Sequence, residues 1–230
     1  MMTPRTIRIT ILDDHQGIID GYVYRFSKLP GLEVVATLSY GEDLEPALAE
    51  HPADVLLLDI SVPTSAENPN PYPILHEIPH LVEKYPNLYI LVISMFAERS
   101  LIRAVMEAGA SGYVLKDDRD TIQDLGTIVQ SVASGGIYFS QKAHQLMLTQ
   151  KTTPSGERLS PRQLEALSLC AAYPDWTSLD LAGKMAVSHS TVRNLLSGAY
   201  LRLGVHNRTA AIATARQLGL ITPNPPVPTE

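Results

Sequence analysis

A chain of 230 residues, 45% hydrophobic and 18% charged, is long enough for two small globular domains and too apolar to be disordered throughout. No apolar run reaches the ~18 residues of a membrane span, and the opening MMTPRTIRIT lacks the apolar core and cleavage site of a secretory signal, so a cytoplasmic protein with no membrane partner is expected. The single cysteine, Cys170, excludes internal disulfides and a cysteine-built metal site. The net charge of −6 conceals an asymmetry: residues 1–150 carry 10 Lys/Arg against 19 Asp/Glu, and residues 151–230 carry 8 against 5. That split suggests two modules with different partners, the basic one facing nucleic acid, although so small an excess is also common on surfaces that bind nothing.

Apolar runs sit at Ile7–Leu12, Leu32–Thr37, Val55–Ile60, Tyr89–Ile93 and Tyr113–Leu115. Between the first two, Ile18, Ile19, Tyr22, Val23 and Phe26 recur at helical spacing; Leu101, Ile102, Val105 and Met106 do so between the last two, and Ile122, Leu125, Ile128, Val129 and Val132 after the fifth. Near-continuous strands alternating with amphipathic helices predict an α/β module over residues 1–136, a doubly wound five-stranded parallel sheet covered on both faces and closed by Gly135-Gly136. A helix near Gln141–Thr149 and the polar QKTTPSGER, with Pro154 and Gly156, read as a linker over 137–156.

From Leu159 the pattern is helical, predicting an all-α, four-helix domain over 157–222. LSPRQ offers Ser160 as N-cap, Pro161 as first helical residue and Gln163 to complete a capping box; TSLD at 177–180 offers a second, and Ser188 caps a third helix that Gly204 stops. Thr209–Leu218 forms the fourth before Gly219. The tail 223–230, with four prolines, is expected to be disordered.

In an open parallel sheet, chemistry gathers beyond the carboxyl ends of the strands. Asp13 and Asp14 close the first strand, Asp59 the third, Ser94 the fourth and Lys116 the fifth. Crowded carboxylates repel, by ~4 kcal/mol for two charges ~4 Å apart at an effective dielectric near ~20. Such a cluster raises a pKa or holds a cation, and hard carboxylate oxygens, read as having no His or Cys nearby, favour Mg²⁺. A lysine and a hydroxyl beside it make a receptacle for a phosphoryl group. Any one of these acids alone reads equally as a solvated residue at a strand end; all five positions on the correct strands do not.

These motifs, ILDDH, LLLDISVP, LVISMF and GYVLKD, resemble the receiver domains of two-component response regulators over roughly residues 6–135. The resemblance implies a flavodoxin-like receiver in which Asp59 takes a phosphoryl group from a phosphohistidine on a sensor histidine kinase. It also implies that Asp13, Asp14, Asp59 and the backbone carbonyl of Ser61 hold Mg²⁺, that Ser94 and Lys116 bind phosphoryl oxygens, and that Tyr113 is the aromatic that turns inward. One stretch departs from the family: VPTSAENPNPYPIL, after Asp59, is longer than the usual Gly-containing turn and carries Pro63, Pro69, Pro71 and Pro73.

HEIPH at 76–80 matches the H-E-x-x-H pattern of zinc proteases. That chemistry needs both histidines on one face of an unbroken helix, and Pro79 between them is tolerated only in a first turn, so an ordinary amphipathic helix is the expectation.

SLDLAGKMAVSHSTVRNLLSGAYLRLGV reads as a short helix, a tight turn around Val187 and a longer helix, the geometry of a helix-turn-helix and also of many non-binding bundles. LSPRQLEALSLCA, STVRNLLS and YLRLGVHNRTAAIATA resemble the LuxR-type effector domain of the NarL/FixJ regulators over roughly 157–221. The resemblance places contacts to double-stranded DNA on Thr191, Arg193, Asn194 and Ser197, with Lys184, Arg202 and Arg208 suited to phosphates. The recognition helix is poor in lysine, and Leu195 stands where members usually carry His. The reading is a phosphorylation-switched regulator that pairs as a homodimer on two half-sites, with Thr209–Leu218 a dimer contact, and no enzyme beyond its own phosphotransfer and slow autodephosphorylation. Two other readings stay open: constitutive DNA binding with the receiver as dimerisation module, and a phosphotransfer protein whose second domain binds protein.

Overall fold

The computed structural model describes residues 5–148, 159–205 and 207–224. The apolar runs become strands β1 (Ile7–Leu12), β2 (Leu32–Leu38), β3 (Val55–Leu58), β4 (Tyr89–Ser94) and β5 (Gly112–Leu115). All are parallel, in the order β2-β1-β3-β4-β5. β3 is buried at every residue, as a strand covered on both faces must be. The direction of winding reverses between β1 and β3, which opens a crevice at their carboxyl ends.

The sheet has six strands, not the five expected. Tyr138–Phe139 (β6) adds in parallel to the free edge of β5. Gly135, at φ +87°, and Gly136 turn the chain back onto the sheet rather than ending the module. Two residues are too few to show a period, so the sequence hid this strand.

Helices α1 (Gln16–Phe26), α2 (Leu44–Glu50), α3 (Ile74–Lys84), α4 (Arg99–Glu107), α5 (Arg119–Gln123) and α6 (Leu125–Ala133) cover the sheet. Ile19, Tyr22 and Phe26 of α1 pack with Ile128, Val129 and Val132 of α6 on one face. Leu44, Leu48, Ile78, Leu81, Ile102 and Val105 pack on the other. Helix α7 (Gln141–Leu148) lies against α4 and β5 with Ala143 fully buried, so the first module extends past residue 136 to this helix. The expected flexible linker beyond it falls outside the described residues.

The second unit has its own core around Leu167, Leu181, Val192 and Ala211, built by α8 (Pro161–Ala172), α9 (Ser178–Lys184), α10 (His189–Leu203) and α11 (Arg208–Gln217). Both capping boxes form, Ser160 with Gln163 and Thr177 with Asp180, and the Ser188 hydroxyl accepts from the Thr191 amide at 3.1 Å. The turn between α9 and α10 is a Schellman closure. Val187 N–H donates to Ala182 at 3.1 Å, and Ala186 takes the left-handed position at φ +53° that glycine usually fills. Most of the tail expected to be disordered lies outside the described residues. Among the described residues no helix is long and apolar enough to cross a membrane.

The two units touch. Helix α3 packs against α8, the Asn68 amide donates to the Ala172 carbonyl at 3.0 Å, and the Tyr173 hydroxyl donates to Glu42 at 2.9 Å.

Candidate functional site

Strand register assembles the acid cluster. Leu12 of β1 pairs with Leu58 of β3, so the next residues, Asp13 and Asp59, emerge side by side, with the Asp59 amide donating to Leu12 O at 2.8 Å. Ser94 ends β4 opposite Leu115, and the following Lys116 is fixed by its amide on Ser94 O at 2.9 Å. From there Lys116 Nζ donates to Asp13 Oδ2 at 2.6 Å and to Asp59 Oδ2 at 2.8 Å.

All three partners of this pairing are nearly sealed from water, their side chains 3–7% exposed. Burial pushes the Asp59 carboxyl above its ordinary range, against the pull of Lys116. Burial alone lowers Lys116; Asp59 and Asp13 more than reverse that, and the ammonium is held above its usual value. Removing charges from water costs several kcal/mol per ion, which a wholly apolar strand such as β3, with about 1.5–3 kcal/mol per fully buried side chain, is suited to sustain.

Asp14 stands at the rim, and its Oδ1 lies 2.7 Å from His15 Nδ1. Donor atoms of Asp13, Asp14, His15 and Asp59 all lie within 4.8 Å of one another. Three carboxylates facing one lysine leave an excess of negative charge and unshared hard oxygens, a donor set that fits a small divalent cation. The Ser61 amide donates to Asp59 Oδ1 at 3.3 Å, while its buried hydroxyl has no protein partner. His15 was given no role from the sequence, although its place directly after the acid pair was the available signal.

Ser94 is fully buried, and its Oγ accepts from the Phe96 amide at 3.2 Å. Tyr113 is turned inward with no exposed surface, its hydroxyl donating to Phe96 O at 2.8 Å; burial raises the phenol far above its ordinary value. The structure thus brings Asp13, Asp14, Asp59, Ser94 and Lys116 to one strand-end crevice, with Tyr113 behind Ser94.

The long proline-rich loop does not pair with the acids. Thr64 closes it on Asn70 through both amide and hydroxyl, at 2.9 and 2.8 Å, and the amides of Gly41 and Glu42 donate to Pro63 O and Thr64 O. Tyr72 fills the space over Gly41, where any Cβ would stand 2.0 Å from its ring. The loop's described hydrogen bonds thus run to the 41–42 turn and, through Asn68, to α8.

On α10, Thr191, Arg193, Asn194, Ser197 and Arg202 are all exposed, while Lys184 of α9 is exposed on the side that lines a cavity with Glu77 of α3. Leu195 is half-buried against the core of this unit, which explains an apolar residue at that position. Arg208 differs from its expected use. Its guanidinium donates to the carbonyls of Trp176 at 2.7 Å, Tyr173 at 3.0 Å and Cys170 at 3.4 Å, so it ties α11 to the end of α8.

The description "response regulator receiver domain" matches residues 9–125. With the register-built acid cluster and the appended helix-turn-helix, this defines the class: the chain belongs to the response regulators, of the NarL/FixJ type, a class of regulators and not of enzymes. It is 29% identical to the transcriptional regulatory protein DegU of Brevibacillus brevis, over 94% of this chain and 95% of that one. It is 30% identical to the oxygen regulatory protein NreC of Staphylococcus epidermidis, over 81% of this chain and 86% of that one. RcsB of Salmonella enterica serovar Typhimurium, solved on promoter rprA with the phosphomimetic BeF3⁻, shares the fold with a TM-score of 0.62 at 23% identity, over 91% of this chain and 98% of that one.

Proposed function

We propose that this protein is a DNA-binding regulator of transcription switched by phosphorylation of Asp59, with residues up to α7 as receiver and residues from α8 onward as effector. The observation that carries the reading is Lys116 Nζ seated between Asp13 and Asp59 at the crevice end of a fully buried strand. Asp59 oxygen attacks the phosphorus of a phosphohistidine on a sensor histidine kinase; the P–N bond breaks, the imidazole takes a proton, and an acyl phosphate remains on Asp59. The rigid strand holds the nucleophile aligned, as transfer requires. Lys116 then exchanges its contact with the carboxylate for one with a phosphoryl oxygen, and Ser94 Oγ donates to another. Asp13, Asp14, Asp59 and the Ser61 carbonyl are the oxygens that hold Mg²⁺, which when bound offsets the charge of the phosphoryl oxygens.

The modification adds about −1.5 to −2 charge. Moving a two-state switch from about 1:99 to 99:1 takes ~5.5 kcal/mol of differential interaction, and new charge-assisted bonds to Lys116 and Ser94 are the source at hand. A homodimer then sets two α10 helices about one helical turn apart on DNA, with Arg193 and Asn194 reading bases. Intact-mass measurement after incubation with acetyl phosphate and Mg²⁺ tests the switch. One added phosphoryl group, Mg²⁺-dependent and absent in Asp59→Asn, is expected; no addition to the wild type would overturn the phosphorylation.

The exposed face of α10 favours a second reading, in which DNA binding needs no phosphorylation and the receiver serves dimerisation. Equal DNA affinity of wild type, phosphorylated or not, and Asp59→Asn would select it.

A further inference from the structure

The HEIPH segment is not used by any of this chemistry, and it lies, as expected, in an amphipathic helix that buries Ile74, Ile78 and Leu81. Helix α3 runs from Ile74 to Lys84 without a break, with the exposed Pro79 inside it. His76 and His80 therefore stand one turn apart on a single face, edge to face, with their Nε2 atoms 3.3 Å apart. The effector supplies a third donor: Glu165 of α8 places Oε1 3.5 Å from the same His76 nitrogen.

Either ring of the pair can donate to the other, and the Glu165 oxygen stands beside the same His76 nitrogen. Two of the three spacings suit ligands of one ion: metal–nitrogen bonds of about 2.0–2.1 Å in a tetrahedron put ligand atoms ~3.3–3.4 Å apart.

Glu165 is also held for the task. Its side chain is 9% exposed, and its other oxygen accepts from Arg162 Nη1 at 2.7 Å, a fixed orientation of the kind that supports metal ligands. The donors face a cavity of about 460 Å³ lined also by Glu45, Glu77 and Lys184, with room for water as a fourth ligand. The His80–Glu165 edge is the longest of the three, since the acid cluster alone, among the described residues, has all its donors within 4.8 Å. His80 is exposed, and binding one ion requires its side chain to turn toward Glu165.

We propose that His76, His80 and Glu165 bind one zinc-class divalent ion that bridges receiver and effector. Two imidazoles and a carboxylate suit Zn²⁺ and its borderline neighbours rather than Mg²⁺. Neither domain holds the full set, so the ion binds tightest when the two are docked and it stabilises that docking by mass action.

The test is a titration of the metal-free full-length chain with Zn²⁺ against a chromophoric chelator, with excess Mg²⁺ present to occupy the oxygen donors of the acid cluster. One Zn²⁺ per chain is expected. His80→Gln, a change at an exposed position, is expected to weaken binding by more than the ~10–100-fold that loss of an outer-shell partner costs, and Glu165→Gln likewise. No binding by the wild type, or undiminished binding by His80→Gln, overturns the site. Loss in His80→Gln with full affinity in Glu165→Gln overturns the bridge.

Discussion

Lys116 carries more of the site than any acid does, because it alone separates two buried carboxylates. Replacing it with Met leaves Asp13 and Asp59 facing each other with no counter-charge, and breaking a buried pair from one side costs about 3–5 kcal/mol. Urea unfolding of Lys116→Met in metal-free buffer is expected to show a loss of that order, and added Mg²⁺ should restore more stability to the variant than to the wild type. An unchanged midpoint would mean that the lysine is not compensating those charges. Cys170 is the opposite kind of residue, buried and inert, its thiol pushed up to about 11 by burial. At about pH 8 only ~0.1% is thiolate, so an aromatic disulfide reagent should find no reactive thiol in the folded protein and one after denaturation. The acids, Ser94 and Lys116 were legible because each follows an apolar run, and a strand end is a place the sequence marks. His15 and Arg208 were not. What they do depends on which neighbour lies across the fold, and an arginine bound to three carbonyls looks in sequence like an arginine free for a phosphate.

At the scale of elements, the sequence marks whatever repeats or caps. The five longer strands and both capping boxes lie within a residue or two of where period and cap residues put them. The two-residue β6, the break at Asp124 between α5 and α6, and the passage of α3 through Pro79 carry no such mark, since packing decides them. Pro79 leaves the Leu75 carbonyl without its helical donor, in a helix otherwise anchored by Ile74, Ile78 and Leu81. Proline costs ~3 kcal/mol against alanine in a helix interior, reduced by ~1 kcal/mol of unfolded-state entropy. Pro79→Ala is therefore expected to raise stability by about 1–2 kcal/mol in chemical denaturation; a loss would show that the ring packs in a way its exposure denies. Ala186 offers a similar gain in the helix-turn-helix. Its left-handed backbone costs roughly 1–2 kcal/mol, so Ala186→Gly should leave the protein as stable or more so, by up to ~1 kcal/mol after glycine's own entropy.

For the whole molecule, the charge split is readable in the sequence, but the extension of the first module through α7 and the seam between the two units are not. Besides the packing of α3 on α8, the seam includes single polar contacts, Asn68 to a carbonyl of α8, Tyr173 to Glu42 and His76 beside Glu165, and no pattern announces such pairs. The charge split has a consequence for DNA binding. The receiver half carries a surplus of acids, the effector half only a small surplus of bases, and Arg208 is already spent on carbonyls. Each phosphate neutralised contributes ~0.9 to the slope of log affinity against log salt. With Arg193 and Arg202 as the exposed cations of α10, the slope is expected to be about −1.8 per bound effector and about −3.6 for a pair. Measured on the full chain across salt concentrations, Arg193→Ala should reduce the slope by about 0.9 per half-site if that side chain meets phosphate. If it reads guanine instead, the slope holds, affinity falls by about 1–3 kcal/mol on the cognate sequence, and the loss disappears on DNA changed at the contacted base. A slope far steeper than these values would mean that cations outside α10 reach the duplex.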